Sequence, residues 1–131
     1  KTRDEVLHFI TDAMIEKGYM KEENKQSVFK REVMATTELG SMVAMPHSLE
    51  NDMLEASVSV TILDKPIVWD QEKVQVVLLL NIPKSKYGMW EDVFKTLYKY
   101  LIRDFGVRRL AKGCTYEEFI RDLEYQRQGK E

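Results

Sequence analysis

One cysteine, Cys114, stands among 131 residues. It excludes an internal disulfide and a cysteine cage for zinc, and it fits a reducing, cytoplasmic compartment. It precedes a helix start, where a thiolate gains some stabilisation, but a lone cysteine near a cap is usually inert packing. Histidine is almost as scarce: His8 and His47 stand too far apart to give a metal-ligand spacing. Neither a metal nor another cofactor is expected. The six glycines are scattered, so no G-x-x-x-x-G-K-[ST] or G-x-G-x-x-G loop exists to cradle a nucleotide. A G-x-S-x-G nucleophile elbow is missing too. The longest apolar run, Val76 to Leu80, is far too short to span a bilayer, and no membrane contact is expected. The opening Lys1-Thr2-Arg3-Asp4-Glu5 is not a secretory signal. No methionine starts it, so the chain reads as a piece of something longer. A net charge of -2 leaves no broad basic footprint, and direct nucleic-acid binding is not expected. Lys84, Lys86, Arg103, Arg108, Arg109 and Lys112 read as a solvated face, with the frame of a docking surface as the alternative.

What is present is enough for one core. At 44% hydrophobic and 32% charged, residues 1–131 read as a single domain with a tail that frays from about residue 126. Thr2-x-x-Glu5 has the form of a capping box. Val6, Phe9, Ile10, Ala13 and Met14 follow at helical spacing, and Gly18 is a natural stop. A second, more polar helix runs from about Glu22 to Ala35, with a thin apolar face of Val28, Phe29, Val33 and Met34. His8 reads as a partly buried helix residue.

After Gly40 the period changes. Met42 to Met45 reads as a short strand ended by Pro46. Ala56, Val58, Val60 and Ile62 alternate with Ser57, Ser59 and Thr61, the pattern of a half-buried strand. Asp64-Lys65-Pro66 reads as a turn, with Ile67 to Trp69 returning as a short strand. Val74 to Ile82 is apolar on both faces, as a covered central strand is. Trp90, Val93, Phe94, Leu97 and Leu101 form a helical stripe. A short segment around Val107 to Ala111 ends at Gly113. Thr115-x-x-Glu118 is a second capping box, opening a helix with Tyr116, Phe119, Ile120 and Leu123 inward. The fold class is α/β: a small mixed β-sheet sandwiched between helices.

The chemistry concentrates at "VAMPHSLEN". Pro46 fixes its own φ and biases Met45 toward extended backbone. The short strand therefore ends rigidly, with His47 at the sheet's edge. Strand ends in α/β sheets are common places for sites. Residue types alone leave two readings open, a reactive imidazole and an ordinary polar turn residue.

The longer stretch "REVMATTELGSMVAMPHSLEN" resembles the active-site segment of the fructose/mannitol-type enzyme IIA domains of the bacterial phosphoenolpyruvate-dependent sugar phosphotransferase system. The pattern is Arg31-Glu32, Thr36 or Thr37, Gly40, an apolar strand, then Pro46-His47. "SVSVTILDKPIVWDQEKVQVVLLLNIP" and "WEDVFKTLYKYL" resemble the family's strands and following helix, so the likeness spans roughly residues 3 to 125. The resemblance implies that His47 accepts a phosphoryl group from phospho-HPr and passes it to a IIB domain. Phosphoryl transfer rests on positioning and cationic donors. Arg31 is the matching arginine and suits bidentate donation. Thr36, Thr37 and Ser48 offer hydroxyls, and the amides after Pro46 offer an anion nest. One position departs from the pattern: Trp90 stands where transport members carry a second histidine. The resemblance then points to a regulatory domain, attached covalently to upstream PRD and nucleic-acid-binding domains as in BglG/PRD-type antiterminators and activators. The alternative is a transport component that serves a IIB domain in sugar uptake.

Overall fold

A computed structural model describes residues 2–49, 56–102, 106, 107, 110, 112 and 117–121. Cys114, Gly113, the Thr115 to Glu118 box as a unit, Tyr116, Leu123, Arg103, Arg108, Arg109 and the tail lie outside them.

Helix α1 (Arg3–Glu16) starts as its sequence asks. The Thr2 hydroxyl accepts from the Glu5 amide at 3.2 Å, and the Glu5 carboxylate accepts from the Thr2 amide at 3.1 Å. Gly18, at φ +84°, takes the left-handed conformation that ends the helix. The buried face is Val6, Leu7, Ile10, Thr11 and Met14. Phe9, expected inward, is 72% exposed. A period near 3.6 allows either flank of Ile10 to be the inward one. Thr11 lets it be the Leu7 flank, because its hydroxyl donates to the Leu7 carbonyl at 2.7 Å and is satisfied inside.

Helix α2 (Glu22–Met34) buries Asn24, Ser27, Val28 and Glu32. Val33 and Met34, also expected inward, are 79% and 67% exposed. The hidden face here is mostly polar and hydrogen-bonded, so apolar periodicity points the wrong way. His8 is exposed on α1, its ring 4.6 Å from that of Phe29 on α2. Lys25 on α2 pairs with Asp12 on α1 at 2.5 Å.

Among the described residues the sheet has four strands, β1 (Glu38–Gly40), β2 (Val43–Ala44), β3 (Ser57–Val68) and β4 (Lys73–Asn81), in the order β1-β2-β4-β3. Only β2 and β4 run parallel. β1, not anticipated, forms a hairpin with β2 through Ser41 and Met42, both at positive φ. The expected turn at Asp64 to Pro66 is instead strand. Ile67 and Val68 continue β3, and the pairing with β4 slips between Ile62 and Ile67. An edge strand tolerates proline at such an irregularity. The reversal comes later, where the Trp69 amide donates to the Glu72 carbonyl at 2.9 Å. The Glu38 carboxylate caps this turn, accepting from the amides of Asp70, Gln71 and Glu72.

β4 is central and covered on both faces, as its sequence demands. Val74, Val77 and Leu79 pack with α1, Val28 and Trp69. Val76 and Leu78 pack with Leu97, Tyr100 and Leu101 of helix α3 (Tyr87–Ile102), and with Val107, Leu110 and Phe119. Val93, expected in the α3 stripe, is 41% exposed. Gly106 closes against the end of α3: a Cβ there would stand 1.9 Å from the Tyr100 carbonyl oxygen. That neighbour is backbone and cannot swing aside. Gly106→Ala should therefore destabilise the domain by about 3 kcal/mol, the upper range for overpacking, measured as a lowered urea midpoint.

Candidate functional site

The parallel pairing of β2 with β4 sends both strands toward one end of the sheet, and His47 stands there. Its backbone is fixed from the β4 side. Pro46 accepts from the Leu80 amide at 2.8 Å, and the Ser48 amide donates to the Leu80 carbonyl at 3.2 Å. His47 thus bridges Leu80 in parallel register. Pro46 and Ser48 are buried on either side while His47 is half-buried.

The ring is aimed by its own strand. His47 Nδ1 lies 3.1 Å from the Met45 carbonyl oxygen. A carbonyl only accepts, so Nδ1 carries the proton, and in the neutral ring the lone pair is on Nε2. A main-chain carbonyl leaves no mark in the residue types, so the sequence does not name this partner.

Arg31 is in the last turn of α2 and donates through Nη1 to the Ala35 carbonyl at 2.6 Å. Ala35 has left the helix in extended backbone, φ -167° and ψ 143°. From there the chain runs antiparallel to the strand that carries His47: Glu38 pairs with Ala44, and the Met45 amide donates to the Thr37 carbonyl at 3.0 Å. The last recorded bond of this pairing sets Thr37 beside Met45, two residues before His47.

The hydroxyl residues divide. Thr36 is half-buried, and its Oγ1 accepts from the Glu38 amide at 3.2 Å. Thr37 is buried, and both its donors go to Glu32: the hydroxyl at 2.6 Å and the amide at 2.8 Å. Ser48 is fully enclosed. Trp69 Nε1 gives Glu32 a third donor at 3.1 Å. Glu32 is 3% exposed and joins α2, the approach to β1 and the turn after β3. Sequence reasoning assigned it no role. The available signal was its spacing: a carboxylate four residues after Val28 sits on the buried stripe, where it needs partners.

Helix α3 follows β4 after a single 3-10 turn. In the first turn of α3, Tyr87 and Trp90 are half-buried while Gly88, Met89, Glu91 and Asp92 are exposed. Burial pushes the Tyr87 phenol up from its ordinary pKa, and the Arg31 guanidinium partly offsets this. Among the described residues, no helix is long and apolar enough to cross a membrane.

A half-buried imidazole of fixed tautomer thus stands at a strand end, and the comparisons supply the family. The family described as "Phosphoenolpyruvate-dependent sugar phosphotransferase system, EIIA 2" matches residues 1–125, and the chain belongs to it. The chain is 32% identical over 118 residues to the probable licABCH operon regulator of Bacillus subtilis, covering 90% of this chain and 18% of that protein. It is 26% identical over 123 residues to the transcriptional regulator ManR of the same organism, covering 94% and 19%. It therefore spans about a fifth of the length of either regulator. Among solved structures, IIA mannitol from Escherichia coli superposes with a TM-score of 0.78 at 21% identity, over 93% of this chain and 89% of that one. That likeness bears out the expected α/β sandwich.

Proposed function

We propose that this is a phosphoryl-accepting regulatory domain: phospho-HPr phosphorylates His47, and the phosphorylated state controls a sugar-responsive transcription regulator of which the domain is a part. The observation that carries the reading is the Nδ1–H bond to the Met45 carbonyl, because it readies Nε2 for attack. As the Nε2–P bond forms, the P–N bond of the carrier's phosphohistidine breaks and its ring nitrogen recovers the lone pair. The Nδ1 proton stays on the Met45 side, so no proton need leave the site. Arg31 stabilises the charge on the transferring oxygens. Thr36 stands nearest the surface of the hydroxyl residues. Thr37 and Ser48 serve chiefly by shaping the backbone that holds His47. The added charge, about -1.5 to -2 at neutral pH, is enough to alter a domain contact. The control is exerted on covalently attached domains, in keeping with the two regulators named above.

Incubation with phosphoenolpyruvate, enzyme I and HPr tests the reading. Acid-labile phosphate on the wild type is expected, and a chain that takes no label would overturn it. Adding a IIB domain separates signal from transport: slow discharge supports the regulator, and rapid discharge makes the domain a transport component. Arg31→Lys should slow labelling by about tenfold to a hundredfold, since an ammonium cannot reproduce the planar two-donor fork. Rapid-quench measurement of the labelling rate checks this.

A further inference from the structure

A strand at the edge of a sheet offers its main-chain donors and acceptors to whatever lies beside it, and folded chains guard such edges with charge, proline or a bulge. Among the described residues β3 is an edge of this kind: it ends the strand order and pairs only with β4. Its two halves differ. The later half carries Asp64-Lys65-Pro66 and the slip in register between Ile62 and Ile67. The half from Ser57 to Ile62, SVSVTI, has no charge, no proline and no slip.

The phase of the hydrogen bonds shows what this half presents. Leu80 turns its amide and carbonyl toward Pro46 and Ser48, and Val76 turns its amide toward Met42. Main-chain groups alternate in direction along a strand, so Val77, Leu79 and Asn81 face β3, opposite Thr61, Ser59 and Ser57. Val58, Val60 and Ile62 therefore aim their amides and carbonyls away from β4. The side chains of Val60 and Ile62 are themselves exposed.

Helix α1 adds polarity to the edge. Two grooves adjoin between α1 and β3, and the exposed Phe9 and Thr61 line both. The charged residues lining them sit apart: Glu5 and Asp64 in one, Lys17 in the other, beside Ser57 and Ser59. A surface with an acidic end and a basic end is complemented by a copy of itself turned end for end.

We propose that the half Ser57 to Ile62 of β3 pairs antiparallel with the same half of a second copy of this chain, in a two-fold dimer centred on Val60. This register sets Val60 against Val60 of the second copy, and Val58 against its Ile62. Each outward amide then meets an outward carbonyl, and the branched side chains pack across the seam. The pairing stops before the guarded half. The rotation lays the Lys17 end of each copy on the Glu5 and Asp64 end of the other, and brings the two Phe9 rings toward one another. The seam and His47 flank Leu80 from opposite sides, since Val58 and His47 both pair with it. The dimer is therefore independent of the phosphoryl-acceptor reading.

Sedimentation equilibrium of the whole chain between about 1 and 300 µM tests this, the range suited to a narrow seam. A reversible monomer–dimer equilibrium is expected. Val60→Lys, which sets two ammonium groups face to face, should weaken it by about tenfold or more. Val60→Pro, which removes an outward amide and leaves the β4 pairing intact, should do the same. Circular dichroism of both should match the wild type. Lys17→Glu and Asp64→Lys, both at exposed positions, should each weaken self-association, while their equimolar mixture should associate about fivefold more tightly than either alone. A wild type that stays monomeric overturns the inference. Slow hydrogen exchange at the Val60 amide of that monomer would then assign the edge to a segment of this chain outside the described residues, and fast exchange would leave it to another protein. A dimer indifferent to the folded Val60 variants, or a mixture no tighter than its components, also overturns it.

Discussion

His47→Ala should carry no acid-labile phosphate under conditions that label the wild type fully, and it should remain folded. The two halves of this expectation have separate causes. The chemistry has no substitute at the position: His8 is far along the chain on α1, its ring tilted against that of Phe29. The fold loses little, because the bonds that fix this turn belong to the backbone of Pro46, Ser48 and Leu80. The ring's bond to the Met45 carbonyl goes, worth about 1 kcal/mol. The tautomer sharpens the expectation to one atom. With Nδ1 committed to the carbonyl, the phosphorus should appear on Nε2. Phosphorus NMR distinguishes the two ring positions. A wild-type signal from the Nδ1 adduct would mean that the ring turns over before reaction, and that the Met45 bond does not set its aim.

The parts of this site that were legible in the sequence are those written in side-chain type at short range. The capping box at Thr2 and Glu5 needs two residues at a fixed spacing, and it forms as read. The two-faced run of β4 needs only its own hydrophobicity. His47 after Pro46 stood out because proline makes a strand end rigid. What stayed hidden depends on main-chain partners or on distant residues. The Met45 carbonyl is one such case. The Glu38 cap over the turn at Asp70 to Glu72 is another, since nothing near Glu38 announces which amides it will meet. Proline misled at Pro66 for a related reason. It marks a turn in isolation, but at a slipped register on an edge strand the same locked φ fits extended backbone.

The inward faces of α1 and α2 show the same limit from the apolar side. Phe9 and Val33 fit a helical stripe, yet both are exposed. In each helix a satisfied polar residue takes the inward place: Thr11 bonds back to its own helix, and Glu32 collects donors from elsewhere. Hydrophobic periodicity counts residues by type and cannot see that a polar group has already found its partners.

Glu32→Ala should be the most damaging single change to stability, at roughly 4 kcal/mol or more. Three donors converge on this buried carboxylate: the Thr37 amide, the Thr37 hydroxyl and Trp69 Nε1. Removing the acceptor leaves all three inside without a partner, and each such loss costs about 1–3 kcal/mol. Water entering the space would recover some of it, which argues for the lower half of that sum. Glu32→Gln should be milder, at about 2 kcal/mol, because its amide oxygen still accepts while its NH2 opposes one of the donors. Urea unfolding of both variants measures the ordering. The damage should reach the chemistry as well. Thr37, held by Glu32, accepts from the Met45 amide, and the Met45 carbonyl in turn holds the His47 ring. A Glu32→Gln chain that still folds should therefore label more slowly than the wild type. A Glu32→Gln chain as stable and as fast as the wild type would show that this network fills space without supporting the histidine.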